Sequence, residues 1–335
     1  MTGFELYLKR NARTVDEYLA TFFADGVHED MRRYLYDPLR AFSDNAGKRH
    51  RPLICLLACE AVGGDPAKAW PAAAAIEHFH TAALIHDDIE DSSLTRRDEP
   101  CMHVTEGVGL AINAGDLALS LVCGTVVDDP GLDDSTKLRV LSELVSMTTR
   151  TIEGQALDIG WARDDRFDLS IDDYLVMANH KTAFYSGGVP LAVGAIVGGG
   201  SEAQVDALRR FGMAAGLAFQ IQDDVLNLVG TKEATKKDFR SDLTEGKRTL
   251  VAIHALQHSA DRARLLELLS SRTTDAAELD EAVGIMREAG SVDYASDYAR
   301  SLVVNAKRAL EEALPRSKAR DLLLSMADFF IKRAS

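Results

Sequence analysis

The chain has few residues that cross-link, kink or divide it. Cysteine occurs four times in 335 residues, as Cys55, Cys59, Cys101 and Cys123, with no CxxC pair. A disulfide framework or a structural zinc site is therefore not expected. Cys55 and Cys59 lie four apart in an apolar stretch. On a helix they share a face, as half a metal site or, more simply, as two small buried hydrophobes. Proline is scarce, at eight residues, and no linker-like or low-complexity segment appears, so a single domain over 1–335 is expected. Basic charge is in deficit, with 38 Lys and Arg against 52 Asp and Glu and a net charge of −14. A nucleic-acid binder needs a basic face, and an anionic membrane repels so acidic a surface. No run of alternating strand pattern is found. No apolar stretch reads as a membrane span, and MTGFELYLKRNARTVDEYLA (1–20) is too charged for a signal peptide. The expectation is a cytoplasmic protein with no stable membrane insertion.

What is present is helical pattern, within the 46% hydrophobic and 27% charged balance of an ordinary globular protein. Apolar residues at three-and-four spacing predict helices over 4–24, 28–43, 52–62, 67–91, 104–127, 135–162, 171–198 and 202–229. Shorter helices follow Lys247 to about residue 333. Pro52 suits a helix start; GGDP (63–66), DDPGLDDS (128–135) and GGGS (198–201) read as breaks. The fold class expected is all-α, a bundle of long helices with a large central core.

Two acidic motifs carry the chemistry. In DDIED, Asp87 and Asp91 are i and i+4 on one helix face, and Asp88 lies about 100° round. In QDDVLN, Asp223, Asp224 and Asn227 repeat the spacing, with an amide in place of the third carboxylate. Each motif ends a long apolar helix, where like charges repel and the helix dipole is also unfavourable. Clustered carboxylates suit a hard cation, and Mg²⁺ shares itself between a few carboxylates and a substrate phosphate. If the two motifs face each other across a cavity, they would hold metal ions around a diphosphate. One such motif alone is as easily a solvated helix end; two are not. Basic groups lie near both: Lys48, Arg49 and Arg51 in GKRHRP, Arg96 and Arg97, Lys181 and Thr182 in HKTA, and KKDFRSDLTEGKRTL (236–250). They suggest two phosphorylated ligands, one metal-bridged and one held directly by Arg and Lys.

In order along residues 40–255, GKRHRP, DDIEDSSLTRR, EGQALDI, HKTA, FQIQDDVLN and SDLTEGKRTL resemble the motifs of the trans-isoprenyl diphosphate synthases, or polyprenyl synthetases. DDIED, GQALDI, DDVLN and the Lys237-to-Lys247 pattern are most like geranylgeranyl diphosphate synthases. The glycine usual after the arginine pair is Asp98 here. The resemblance implies helices around a deep cavity (the isoprenoid synthase fold), a homodimer, and head-to-tail condensation of isopentenyl diphosphate with an allylic diphosphate. It implies that Asp87, Asp88, Asp91, Asp223, Asp224 and Asn227 serve Mg²⁺. Arg96, Lys181, Gln220, Lys237 and Lys247 would hold the allylic diphosphate, and Lys48, Arg49, His80 and Arg97 the isopentenyl diphosphate. The carbonyl of Thr182 and the amide of Gln220 would stabilise the allylic cation.

Product length is read from the residues before Asp87. Ala82 and Ala83 stand where bulky aromatics stop growth in this family, and Phe79, a turn further, is the next floor. Geranylgeranyl diphosphate is the expected product, with farnesyl or twenty-five-carbon diphosphate as near alternatives. A terpene cyclase of the same fold would not need residues for isopentenyl diphosphate. A non-catalytic subunit would not need both acidic motifs.

Overall fold

The structure is a computed structural model and describes residues 2–23, 27–45, 47–230 and 239–332. Apart from one two-residue strand pair, its regular structure is helical, as the spacing predicts. The Gly3–Ala20 helix starts at a capping box, in which the Thr2 hydroxyl and the Glu5 carboxylate each accept the other's backbone N–H. Its buried face is Phe4, Leu8, Val15 and Leu19.

Three predicted helices are interrupted, each for a local reason. Over 28–43 the chain forms Glu29–Met31, a π-helical turn Arg32–Tyr36, and Asp37–Asp44. Pro38 lacks the N–H that would pair one turn back, so the preceding turn widens. Over 104–127, Gly107 at φ 84° separates Met102–Thr105 from Val108–Val127. Over 171–198, a ten-residue π-helical stretch Asn179–Gly188 sits between Ile171–Ala178 and Val189–Val197. Pro190 again lies just beyond the widened turns. Such turns recur at functional sites, and this one carries Lys181 and Thr182. The 202–229 helix is found as Glu202–Val229.

The chain divides into two compact units, each made of three separate stretches. Neither unit is a contiguous piece of sequence. The first comprises 1–148, 189–208 and 314–323. At its centre the Trp70–Glu90 helix packs against Gly3–Ala20, His50–Ala61, Val108–Val127 and Val189–Val197. Alanine makes this closeness possible: Ala72 to Ala75 and Ala82 are buried on the central helix, and Ala111, Ala114 and Ala118 on Val108–Val127. Gly194 lies so close to the Cys55 carbonyl that a Cβ would collide with it. Cys55 and Cys59 are free, buried thiols of this core, and burial pushes Cys59 up to about 11.

The second unit comprises 149–188, 209–313 and 324–335. Leu250–His258, Arg262–Ser271, Ala276–Glu288 and Ser291–Ala313 pack on one another, burying Leu265, Leu268, Val283, Met286 and Val303. Thr249 and Asp275 cap two of these helices with side-chain oxygens.

In the first unit the buried His78 ring meets the rings of Phe22 and Phe23 edge-on, and its Nε2 has no hydrogen-bond partner. Burial pushes its pKa down to about 4. The unfolded chain therefore takes up the proton first as pH falls. Stability present above the ordinary value of 6.5 is lost between there and about 4. His78→Phe should flatten that acid limb by about 1.4 kcal/mol per pH unit, read from urea melts at pH 7, 6 and 5. An unchanged slope would show that His78 does not carry it.

Candidate active site

In the first unit the Trp70–Glu90 helix delivers its carboxylates at its C-terminal end. The Asp91 N–H caps it, donating to the Asp87 carbonyl at 2.9 Å. Asp87 and Asp88 are both claimed by Arg96, whose Nε lies 2.7 Å from Asp88 Oδ1 and whose terminal nitrogen lies 3.2 Å from Asp87 Oδ2. Burial pushes the Asp88 carboxyl above its ordinary value, against the pull of Arg96. Its second oxygen is buried with no hydrogen-bond partner. Among the described residues no three acidic, His or Cys side chains form a ready-made cage. The fit is instead to a cation that keeps waters and completes its shell with substrate oxygens.

Arg96 is placed by a hairpin. Thr95–Arg96 pairs with Glu99–Pro100, and the two turn residues, Arg97 and Asp98, have φ of 54° and 69°. A two-residue hairpin of this kind requires positive φ at both positions. Aspartate tolerates that region better than most residues, which accounts for Asp98 where glycine is usual. The Arg97 guanidinium donates to the Asn45 carbonyl and lies against Gly47.

The other cations of this unit gather around His80. Burial lowers His80 well below its ordinary value, and Arg51, His50, Arg97 and Arg49 add to the shift. A neutral imidazole among cations is an environment that favours an anion. Arg49, however, is spoken for. Its guanidinium donates to Asp16 at 2.6 Å, to Glu77 at 2.7 Å and to the Ser43 carbonyl. Burial works against its charge, and the two carboxylates outweigh that. These partners make Arg49, expected to hold a diphosphate, a clamp on the segments that carry the other cations. Arg51, buried beside His80, joins the cluster in its place, and Lys48 is exposed. Phe79 is only 2% exposed, Ala82 is packed in the core, and Ala83 is partly exposed.

In the second unit the Asp134–Arg163 helix from residue 149 onward, the π-helical stretch and the Glu202–Val229 helix from residue 209 onward bring a second set together. Asp158 pairs with Lys181, and Lys247 lies 3.5 Å from the same carboxylate oxygen. Burial opposes the Asp158 charge, but the two lysines outweigh it and hold the carboxyl below the usual range. Thr182 Oγ donates to Gln220 Oε1 at 2.6 Å, and Gln220 Nε2 donates to Asp224 Oδ1 at 2.7 Å. The Tyr174 hydroxyl donates to Asp224 Oδ2 at 2.8 Å. These distances need close helices: Gly154 lies against the Lys181 backbone, Gly212 against Gly187, and Gly216 against Ala183.

Burial pushes Asp224 up to about 7 even though Tyr174 and Gln220 donate to it. Burial, with the charge of Asp224, also holds Asp242 well above its ordinary value. Asp223 is partly exposed. Carboxylates outnumber lysines here, a surplus that suits a divalent cation. Asn227 is a clasp: its Nδ2 donates to Ser241 Oγ at 3.0 Å, and its Oδ1 accepts the Asp242 N–H at 3.2 Å. Lys237 lies outside the described residues. The sequence reading gave no role to Asp158, Glu77, Asp16 or Tyr174. Asp158 stands inside the EGQALDI motif, but no local pattern marks the other three.

Comparison with known proteins points to one family. The polyprenyl synthetase family model matches residues 32–286. A short chain isoprenyl diphosphate synthase of Methanothermobacter thermautotrophicus is 38% identical over 328 residues, 97% of each chain. The crystal structure of a geranylgeranyl pyrophosphate synthetase from Pyrococcus horikoshii superimposes with a TM-score of 0.90 at 34% identity, covering 98% of each chain. A geranylgeranyl pyrophosphate synthase from Corynebacterium glutamicum, complexed with isoprenyl diphosphate and magnesium, gives 0.86 at 28% identity over 99% of each chain.

The Arg49 clamp makes a distinct prediction. Glu77 is 2% exposed, so Arg49→Ala leaves a buried charge unpaired and should cost about 3–5 kcal/mol. Glu77→Gln in that background should recover part of the loss. Denaturant melts measure both. A variant of full stability with a raised KM for isopentenyl diphosphate would make Arg49 a substrate contact after all.

Proposed function

The chain belongs to the polyprenyl synthetase family and is a prenyltransferase. From that premise we propose that it condenses isopentenyl diphosphate head to tail with an allylic diphosphate and releases mainly geranylgeranyl diphosphate. The observation that best supports this reading is the pair of lysines on Asp158 beside the Thr182–Gln220 hydrogen bond. Fixed cations receive the negative charge of a leaving diphosphate, and amide and carbonyl oxygens face a positive carbon. That is the charge separation an ionising allylic C–O bond creates.

Asp87, Asp88, Asp91 and Asp223 would hold Mg²⁺, which when bound adds Lewis-acid charge to the leaving diphosphate. Asp224 and Asn227, whose polar atoms are engaged by protein partners, support the Glu202–Val229 helix end rather than acting as principal ligands. Arg96, Lys181 and Lys247 bind the allylic diphosphate, joined on the motif alone by Lys237; donors held in place as the first three are cost no reorganisation during reaction. Gln220 Oε1 and the Thr182 carbonyl orient towards the cation. Lys48, Arg51, Arg97 and neutral His80 hold isopentenyl diphosphate with its alkene free to attack. Alkene attack leaves a cation on the isopentenyl unit, and the proton lost from its neighbouring CH2, which restores the double bond, passes to the departing diphosphate, so no side-chain nucleophile is required. Ala83, partly exposed, leaves the path beyond Asp87 open while Ala82 packs into the core, and Phe79, eight residues back and about 12 Å along the helix axis, is the floor.

The partner is a second copy of the chain. Along Asp134–Arg163, Leu138, Val145, Ile152 and Ile159 recur every seven residues and are all exposed, a spacing that forms one apolar seam. Val108–Val127, contrary to the sequence reading, is long and apolar enough to cross a membrane. It carries exposed Asp116 mid-helix, which costs roughly 2.5–3.5 kcal/mol at a bilayer centre. Its exposed Val108 and Ile112 are better covered by protein. The four free cysteines fit a cytoplasmic setting.

Purified protein with Mg²⁺, isopentenyl diphosphate and each allylic starter should yield a linear twenty-carbon alcohol after dephosphorylation. EDTA should abolish the product, and Asp87→Asn or Asp223→Asn should lower kcat at least about 100-fold. Phe79→Ala should lengthen the product. A cyclic hydrocarbon, or no use of isopentenyl diphosphate, would make the protein a cyclase; an unchanged length distribution would reject Phe79 as the floor. Light scattering should give the dimer mass, and Val145→Glu with Ile152→Glu the monomer. A dimeric double variant would place the interface elsewhere.

A further inference from the structure

A side-chain amide can be turned over with almost no change of shape, yet the two orientations present opposite charge. Gln220 is useful to an allylic cation only with its oxygen forward. Thr182 cannot enforce this, because a hydroxyl both donates and accepts. The Thr182–Gln220 contact of 2.6 Å survives either orientation.

Asp224 can enforce it. It lies one turn further along the same helix, and its Oδ1 accepts from Gln220 Nε2 at 2.7 Å. An ionised carboxylate only accepts, and the Tyr174 and Gln220 donors favour the ionised form of Asp224 against its burial, so the reversed amide would set oxygen against oxygen. The carboxylate must itself be held, and its other oxygen accepts the Tyr174 hydroxyl at 2.8 Å. Tyr174 is 0% exposed. Its helix, Ile171–Ala178, is anchored by a capping box in which Ser170 and Asp173 bond each other's backbone N–H. Both Asp224 oxygens are thus engaged by protein donors. We propose that Tyr174 and Asp224 are positioning residues that lock the Gln220 amide with its carbonyl oxygen turned towards the allylic cation. This rests on the prenyltransferase reading above.

The arrangement predicts a particular non-additivity. In Tyr174→Phe an ionised Asp224 still only accepts, so in assays at pH 9, where it stays ionised, the lock holds and kcat should fall about threefold. In Asp224→Asn the new amide can donate to the Tyr174 oxygen and accept from Gln220, so the loss is again small, about fivefold. In the double variant nothing orients the amide introduced at position 224, and kcat should fall about 100-fold, well beyond the product of the single effects. The KM for isopentenyl diphosphate and the Mg²⁺ concentration for half activation should not move. Selective ¹⁵N-glutamine labelling gives a readout without turnover. The Gln220 side-chain amide should show one ordered pair of resonances in the parent and single variants, and lose it in the double variant.

Multiplicative losses, or an ordered amide in the double variant, would overturn the lock. So would an Asp224→Asn enzyme that needs at least about tenfold more Mg²⁺ and then recovers full kcat, because Asp224 would then be a direct metal ligand. Should Tyr174→Phe fail to fold, Gln220→Glu places oxygen against Asp224 in either orientation. It should lose about 100-fold, and Asp224→Asn should rescue it; no rescue overturns the proposal. If the parent enzyme makes no prenyl diphosphate, the functional reading has failed, and the amide resonances alone decide on the lock.

Discussion

Carboxylates gathered at helix ends are the constraint that the surrounding structure answers. Each acidic motif stands where the helix dipole is negative and like charges are a few ångströms apart. In the first unit Arg96 takes two of the carboxylates and the hairpin exists to hold it there. In the second, Lys181 and Lys247 converge on Asp158 while Tyr174 and Gln220 occupy Asp224. The balance is incomplete in both places. Asp88 keeps a bare buried oxygen, and Asp224 and Asp242 are raised by burial. A fold selected for stability alone would replace such groups with apolar ones. Their retention makes sense where a cation and a phosphate complete the charge.

Close packing of small residues is what makes the short polar distances possible. Alanine and glycine let the central helix of the first unit approach its neighbours. In the second unit Gly212 and Gly216 admit the π-helical stretch, so that Thr182 reaches Gln220. The widened turns before Pro190 serve the same end, because they rotate Lys181 and Thr182 relative to an ideal helix. Backbone geometry and site chemistry are therefore one problem here.

Much of this was legible in the sequence. The long helices announce themselves by spacing, and Glu202–Val229 falls where periodicity places it. The acids and most of the cations fall in motifs with fixed offsets. What could not be read has a common physical character: it depends on contacts far apart along the chain. Arg49 looked like a substrate cation because its neighbours are cations; only the fold shows Asp16 and Glu77 closing on it, 33 and 28 residues away. Tyr174 lies 50 residues from Asp224 and looks like any core aromatic. The π-helical interruptions were hidden because apolar periodicity barely changes when one turn gains a residue, although Pro38 and Pro190 were visible signals.

The backbone of the cation loops extends the argument. Arg49, Arg97 and Arg240 all adopt left-handed φ, of 51°, 54° and 60°, a conformation that costs most side chains about 1–2 kcal/mol. Each is held by a specific partner: Arg49 by two carboxylates, Arg97 by the Asn45 carbonyl, and Arg240 by Asp280 at 2.6 Å. Glycine at these positions would relieve the backbone and lose the clamp, whereas arginine keeps the clamp and bears the strain. Asp98 shows the converse. It has the same left-handed geometry, at φ 69°, but the hairpin asks of it only a turn, which aspartate supplies without a clamp.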